Sequence, residues 1–296
     1  MDSGLFAFFL PIALAIMMMG LGLELSIKDF LRVARYPKVI FIALFTQLIV
    51  LTSIAFLLCK LLELPPLLSV GLMLLAASPG GATANAFSYI YKGDVALNIS
   101  ITAINSVISC FTLPFIVSLS ILHFLGENTE VNIPIEKITQ TFLMIFIPVC
   151  IGMLIRNTLP NLAQSISKPM RVLTITLLTL IFLIAVVREQ SNIISYFANV
   201  GIATCLLCFS GLFLGYVIPF LAGVPEKQAR ACTFEIGIHN TGIAITIALS
   251  VLGSTAIAIP AGVYSIFMYV LATLFGFILT RRGSYLIQAR NTEASH

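Results

Sequence analysis

Between Lys38 and Lys60 the chain carries no charged side chain, and the same holds between Glu63 and Lys92, between Asp94 and Glu127, and between Glu235 and Arg281. Stretches of this length dictate the solvent. A helix needs about 20 apolar residues to cross a hydrocarbon core about 30 Å thick, and lipid admits only structures that satisfy their own backbone. Composition agrees, since 59% of the 296 residues are hydrophobic and 9% charged, against about 25% charged in soluble domains. An ordinary soluble enzyme is excluded. So is a nucleic-acid partner, because the basic residues are too thinly spread to follow a phosphate backbone.

Charges and Pro/Gly clusters divide the chain into nine candidate spans: 5–23, 38–62, 66–90, 94–122, 134–156, 169–187, 193–221, 226–250 and 254–280. The expected fold is an all-α polytopic membrane protein embedded in membrane lipid. With the N-terminus outside, 13 of the 16 Lys and Arg residues fall on the inner side, leaving only Lys60, Lys137 and Arg188 outside. Cytoplasmic loops collect Lys and Arg in this way. The longest outer connection instead carries Glu127, Glu130 and Glu136. The count predicts the inner (plasma) membrane, an external N-terminus and a cytoplasmic tail over 282–296. Met1-Asp2 supplies no basic n-region, so the first stretch reads as a retained span. The six cysteines all lie in apolar stretches and read as small hydrophobes.

Two intervals echo each other. Pro65 precedes the third span and Gly93-Asp94 follows it; Pro225 precedes the eighth and Gly253-Ser254 follows it, at the same spacing. The two spans run in opposite directions under the expected topology, which makes the copies inverted repeats, a common transporter architecture. Residues 1–125 form the first repeat, lacking its first helix, and 126–281 the second. Each copy contains a stretch unsuited to a regular helix: Ser78-Pro79-Gly80-Gly81 through Asn85, and Glu235-Ile236-Gly237-Ile238-His239-Asn240-Thr241-Gly242. Broken helices offer half-helix N-termini to anions and free carbonyls to cations.

Glu235 is the one acidic residue that falls far from any span end, about 15 Å along a helix from Pro225. Its charge costs about 2.5–3.5 kcal/mol at midplane. A carboxylate among amide and hydroxyl oxygens (Asn85, Asn98, Thr102, Asn105, Asn240, Thr241) suits a hard monovalent cation, while a protonated, hydrogen-bonded carboxyl is the plainer reading. His239 can serve as partner to Glu235, ion ligand, proton-sensitive group or simply a satisfied polar residue. With only His123, His239 and His296 in the chain, the two-histidine helix of a metalloprotease cannot be assembled. Gly211 and Gly215 have the small-xxx-small spacing of a close helix contact.

At these residues the sequence resembles the bile acid:sodium symporter family, in the nine-span form of a bacterial homologue. Pro79-Gly80-Gly81 through Asn85, with Gly93-Asp94-Val95-Ala96-Leu97, is similar to that family's first crossover region, and Glu235-Ile236-Gly237-Ile238 with Asn240 to its second. The resemblance implies a core domain moving against a panel domain by alternating access. It implies one sodium site at Ala84, Asn85, Asn98, Thr102 and Glu235, and a second at Gln47, Glu235, Ile236, Ile238 and His239. An organic anion, a bile acid or a smaller carboxylate, would face Asn240 and half-helix N-termini near Ala82, Thr83 and Asn105. Three positions depart from the family pattern: Ala84 and Asn98 stand for Ser, and His239 for Gln. Imidazole offers sodium nitrogen in place of oxygen, so one or two Na+ per cycle are expected, with no organic cofactor and no enzymatic activity. The main expectation is a monomeric sodium-coupled symporter. The alternatives are proton coupling through Glu235 and His239, or a passive channel or membrane sensor. A green fluorescent protein fused to the C-terminus is expected to fluoresce and an alkaline phosphatase placed there to be inactive; the reverse pattern would invert the orientation.

Overall fold

A computed structural model describes residues 25–126, 135–167 and 193–293, with scattered positions at 12–23 and 169–176. The first expected span (5–23) falls largely outside the described residues. So do most of the sixth (169–187), the connection holding Glu127 and Glu130, and Lys168, Arg171 and Arg188. The described chain is helical: α1 Ile27–Val33, α2 Pro37–Leu61, α3 Pro66–Ala77, α4 Ala82–Ile90, α5 Val95–Leu125, α6 Ile135–Thr158, α7 Ile193–Leu221, α8 Glu226–Gly237, α9 Thr241–Ser250 and α10 Thr255–Glu293. Among the described residues α2, α5, Phe197–Leu221 of α7 and Thr255–Arg281 of α10 are long and apolar enough to cross a membrane. The chain is an integral membrane protein.

Local chemistry sets the boundaries. Pro37 and Pro66 open their helices, where the missing N–H has no intrahelical partner to lose. The Asp94 carboxylate accepts from the Leu97 amide at 3.1 Å and starts α5. Asn240 does the same for α9, accepting from Ile243 N at 3.2 Å. The expected third span is two helices, interrupted at Ser78–Gly81, and the eighth is two, interrupted at Ile238–Asn240. The second break is shorter than the sequence pattern suggests, because α8 keeps its turns through Gly237 and holds Glu235 in regular helix. The final helix also outruns its expected end, continuing through Arg281 to Glu293. No proline follows Pro260 to stop it. Asp29 is buried and accepts from Ser26 N at 3.0 Å.

The broken helices occupy the centre. Every residue of α3 from Leu68 to Ala77 is buried, as is α8 from Ala229 to Gly237. Helix α7 packs on α8 and α10, α3 on α5 and α10, and α8 on α4 and α5. Helices in lipid gain little from apolar contact as such, so close packing of small residues draws them together. Gly211 and Gly215 face α8, where an added Cβ would stand 3.0 Å from the Ile236 carbonyl and 3.1 Å from that of Cys232. The N-terminal end of α8 is pinned by buried Arg230, which donates to Glu226 at 2.9 Å and to the carbonyl of Leu279 in α10 at 2.9 Å. Tyr216 of α7 donates to the other Glu226 oxygen at 2.6 Å.

Overpacking a close contact costs about 1–3 kcal/mol. Gly211→Val is therefore expected to lower the thermal midpoint of the purified protein. Gly201→Ala, on the same helix but with only the Phe197 ring at 3.7 Å, is expected to leave it unchanged or raise it slightly.

Candidate functional site

The site begins with two opened stretches of backbone. Pro79 brings no amide, and the Ser78 hydroxyl donates back to the Leu75 carbonyl at 2.6 Å, so α3 stops at Ala77. Across from it, α8 stops at Gly237. The two breaks then serve each other: Gly81 N donates to Ile238 O at 3.2 Å and Asn240 N to Pro79 O at 2.8 Å. Between these bonds Gly80 and His239 form an antiparallel bridge, the closer, non-hydrogen-bonded kind of strand pair. A Cβ on Gly80 would run into the Glu235 carboxylate. Only glycine allows the backbone and the acid to approach this closely.

Glu235 is fully buried. Thr102 Oγ1 of α5 donates to its Oε2 at 2.5 Å, and the Asn105 amide lies beside the same carboxylate. One turn before Thr102, Asn98 Nδ2 donates to the carbonyls of Ala84 at 3.3 Å and Ala231 at 3.2 Å and to the Ser88 hydroxyl. That leaves Asn98 Oδ1 turned toward Thr102, 3.4 Å from its hydroxyl. Neither of the ion pairs seen among the described residues involves Glu235.

On the other flank, α2 opens into a π-helical turn over Thr46–Leu51 that contains buried Gln47. Such turns occur frequently at functional sites. Gln47 Nε2 donates to the Ser78 carbonyl at 3.2 Å, and His239 Nδ1 meets the same oxygen at 2.9 Å. A carbonyl only accepts, so this contact assigns the proton to Nδ1 and leaves Nε2 of the neutral ring with a lone pair. Tyr264 sets the ring edge-on at 5.5 Å and donates to Gly237 O at 3.0 Å. The break in the helix thus turns His239 to Ser78, although its spacing from Glu235 would place the two on one face of an intact helix.

Buried polar atoms are paired in more than about nine cases in ten. Gln47 Oε1, Asn85 Oδ1, both amide atoms of Asn105, Ser106 Oγ, Glu235 Oε1 and His239 Nε2 are buried without a hydrogen-bond partner among the described residues. They sit on the helices that meet at the breaks, and most are acceptors. A hard cation takes oxygen ligands, and five of these seven atoms are oxygens.

The remaining sequence candidates distribute as follows. Ala82 and Thr83 open α4, and Asn85 follows in its first turn. Ala84 offers its carbonyl, which already accepts from Asn98. The Ile238 carbonyl accepts from Gly81, whereas Asn240 N, the amide that would close the helical bond to Ile236 O, goes to Pro79. Asn240 is partly exposed at the head of α9. Asn105 is not at a half-helix N-terminus: it lies inside unbroken α5 and is fully buried. Sequence reasoning missed Gly80 as the seat of the carboxylate, and also Ser88, Ser106 and Tyr264. Ser106 was detectable as Asn105's neighbour on the helix; the other contacts are set only by packing.

Residues 11–196 match the Sodium Bile acid symporter family. The chain is 26% identical over 270 residues to the probable sodium/metabolite cotransporter BASS1 of Arabidopsis thaliana chloroplasts, covering 91% of this chain and 66% of that protein. The ileal sodium/bile acid cotransporter of Oryctolagus cuniculus is 27% identical over 90% of this chain and 77% of its own length. The uncharacterized sodium-dependent transporter YocS of Bacillus subtilis is 26% identical over 87% and 78% respectively. The chain thus spans about two thirds of the plant relative's length.

Removing the Thr102 hydroxyl leaves a buried carboxylate oxygen short of a donor, at a cost of about 1–3 kcal/mol. Thr102→Val is expected to lower the thermal midpoint, and Thr102→Ser to restore most of it.

Proposed function

The chain belongs to the Sodium Bile acid symporter family, and on that premise we propose that it is a sodium-coupled secondary transporter of an organic anion, working by alternating access. The family consists of transporters rather than enzymes. The observation that carries the reading is a fully buried carboxylate, Glu235, set where two broken helices meet and ringed by buried acceptor atoms without partners. Anionic side chains inside a membrane mark ion pathways when they pair with something other than a basic residue.

In this reading one sodium ion lies between α4 and α5, held by Glu235, Asn85 Oδ1, Asn98 Oδ1 and Thr102 Oγ1, with Ala84 lending at most its carbonyl. A second lies on the α2 side, held by Gln47 Oε1, Glu235 and the carbonyls of Ile236 and Ile238. There His239 offers only Nε2, a weaker partner for sodium than oxygen. The organic anion, a bile acid or a smaller carboxylate, meets Asn240 and the N-termini of α4 and α9, near Ala82 and Thr83, where free amides and the helix dipole favour negative charge. Sodium binding neutralises Glu235 and stiffens the crossing, and a core containing the broken helices then moves against a panel. The nine spans, inverted repeats, plasma-membrane location and cytoplasmic C-terminus expected from the charge pattern fit this cycle.

Stoichiometry sets the power. Two ions, each descending a tenfold gradient, supply about 1.4 kcal/mol apiece. Net movement of one positive charge through 100 mV adds about 2.3 kcal/mol. Together these concentrate a monoanion several thousandfold; with one ion the cycle is electroneutral and accumulation falls to about tenfold. The lone pair on His239 Nε2 favours a second reading, in which a proton takes the place of the second sodium. A passive channel or a sensor would not accumulate solute at all.

Proteoliposomes given an inward sodium gradient are expected to accumulate an organic anion, screened from taurocholate down to small carboxylates, above its equilibrium level. Glu235→Ala is expected to reduce that uptake by at least a hundredfold. Uptake that is equal in choline, or undiminished in Glu235→Ala, would defeat the reading; sodium-independent accumulation driven by a pH gradient, and lost in His239→Gln, would favour the proton.

A further inference from the structure

Asn98, Thr102, Asn105 and Ser106 are all buried on α5, at spacings that place them along one helix face. The first two are engaged: Asn98 Nδ2 with the Ala84 and Ala231 carbonyls, and Thr102 Oγ1 with Glu235. The next turn is different. Both amide atoms of Asn105 and the hydroxyl of Ser106 lack a partner among the described residues. Ser106 departs from its neighbours in this, since Ser100, Ser109, Ser118 and Ser120 each donate to a carbonyl of their own helix. A serine in a helix readily takes that bond. A hydroxyl that does not take it keeps both donor and acceptor capacity for something else.

Beside this turn stands Glu235, whose Oε1 is also unpartnered while Oε2 is held by Thr102. Three buried oxygens on the packed helices α5 and α8 are thus without a partner among the described residues: Asn105 Oδ1, Ser106 Oγ and Glu235 Oε1. We infer that they form a further position for a hard monovalent cation, one helix turn along α5 from the position at Asn85, Asn98 and Thr102. The inference rests on the sodium-coupled reading above and adds to it a further ion position that shares Glu235 with that reading and brings in Asn105 and Ser106, which the reading does not use for sodium. Both positions draw on the same Glu235 carboxylate, so occupancy of this position alternates with occupancy at Thr102. The turn at Asn105 is then a stage through which the ion reaches or leaves the crossing. It also moves Asn105 from the substrate's side of the mechanism to the ion's.

The test is sodium-dependent thermal stabilisation of the purified full-length protein, titrated with NaCl against choline chloride at constant ionic strength. A ligand that binds only the native state raises the midpoint by mass action, and sodium is itself the probe. Asn105→Leu is expected to raise the half-maximal sodium concentration at least tenfold and Ser106→Ala about threefold. The midpoint in choline should move far less. Asn105→Asp, which keeps an oxygen at the position and adds charge, is expected to lower the half-maximal concentration below wild type, a result that a merely structural asparagine would not give. Unchanged sodium dependence in Asn105→Leu overturns the inference. Should that variant fail to fold, an unchanged Ser106→Ala overturns it equally. A wild-type protein that sodium does not stabilise beyond choline would defeat the sodium-coupled reading itself, which is a separate outcome.

Discussion

Two hydrogen bonds hold the centre of this protein open: Gly81 N to Ile238 O and Asn240 N to Pro79 O. Each joins one interrupted helix to the other. An interrupted helix in lipid exposes amides and carbonyls that the solvent cannot satisfy, and non-helical backbone survives there only when protein or a water-filled cavity covers it. Here each break supplies the partners of the other. Neither can form alone, so the crossing ties the two halves of the chain into one structural unit. The closeness of the pairing explains Gly80, the only residue type that leaves room for the Glu235 carboxylate behind the bridge.

The same opening makes a charge site. Helical carbonyls are normally consumed by amides four residues on, but at the breaks that pattern fails, and side chains fill the surroundings instead. Ser78 O takes both Gln47 and His239, and Thr102 takes one oxygen of Glu235. What is left over is mostly acceptor: amide oxygens, a hydroxyl, a carboxylate oxygen and an imidazole lone pair. A buried cluster of acceptors around a carboxylate repels itself unless a cation joins it, which is the physical reason to connect the ion with the folding of the crossing. In the proposed function sodium acts as both the driving ion and a structural tie.

Much of this was legible in the sequence because lipid imposes simple rules. Charge-free stretches gave the helices, and Pro79-Gly80-Gly81 and Gly237 marked the interruptions. Glu235 stood out because its neighbours are uncharged. Three kinds of information were not legible. The extent of the second break depended on where Asn240 caps α9, so Glu235 was expected in open chain and is found in helix. The direction of His239 depended on a carbonyl 161 positions away in the chain. Asn105, assigned by analogy to a helix end, lies inside an unbroken one, because nothing in local spacing says which polar residues of α5 face the acid. Pairwise packing across distant segments decides all three.

The central claim is that Glu235 at the crossing binds sodium. Equilibrium binding of 22Na+ to the purified protein tests it without knowledge of the organic solute. Saturable binding that is displaced by unlabelled Na+, unaffected by choline and lost in Glu235→Gln is the result predicted. Binding that persists undiminished in Glu235→Gln, or none in the wild-type protein, would contradict it.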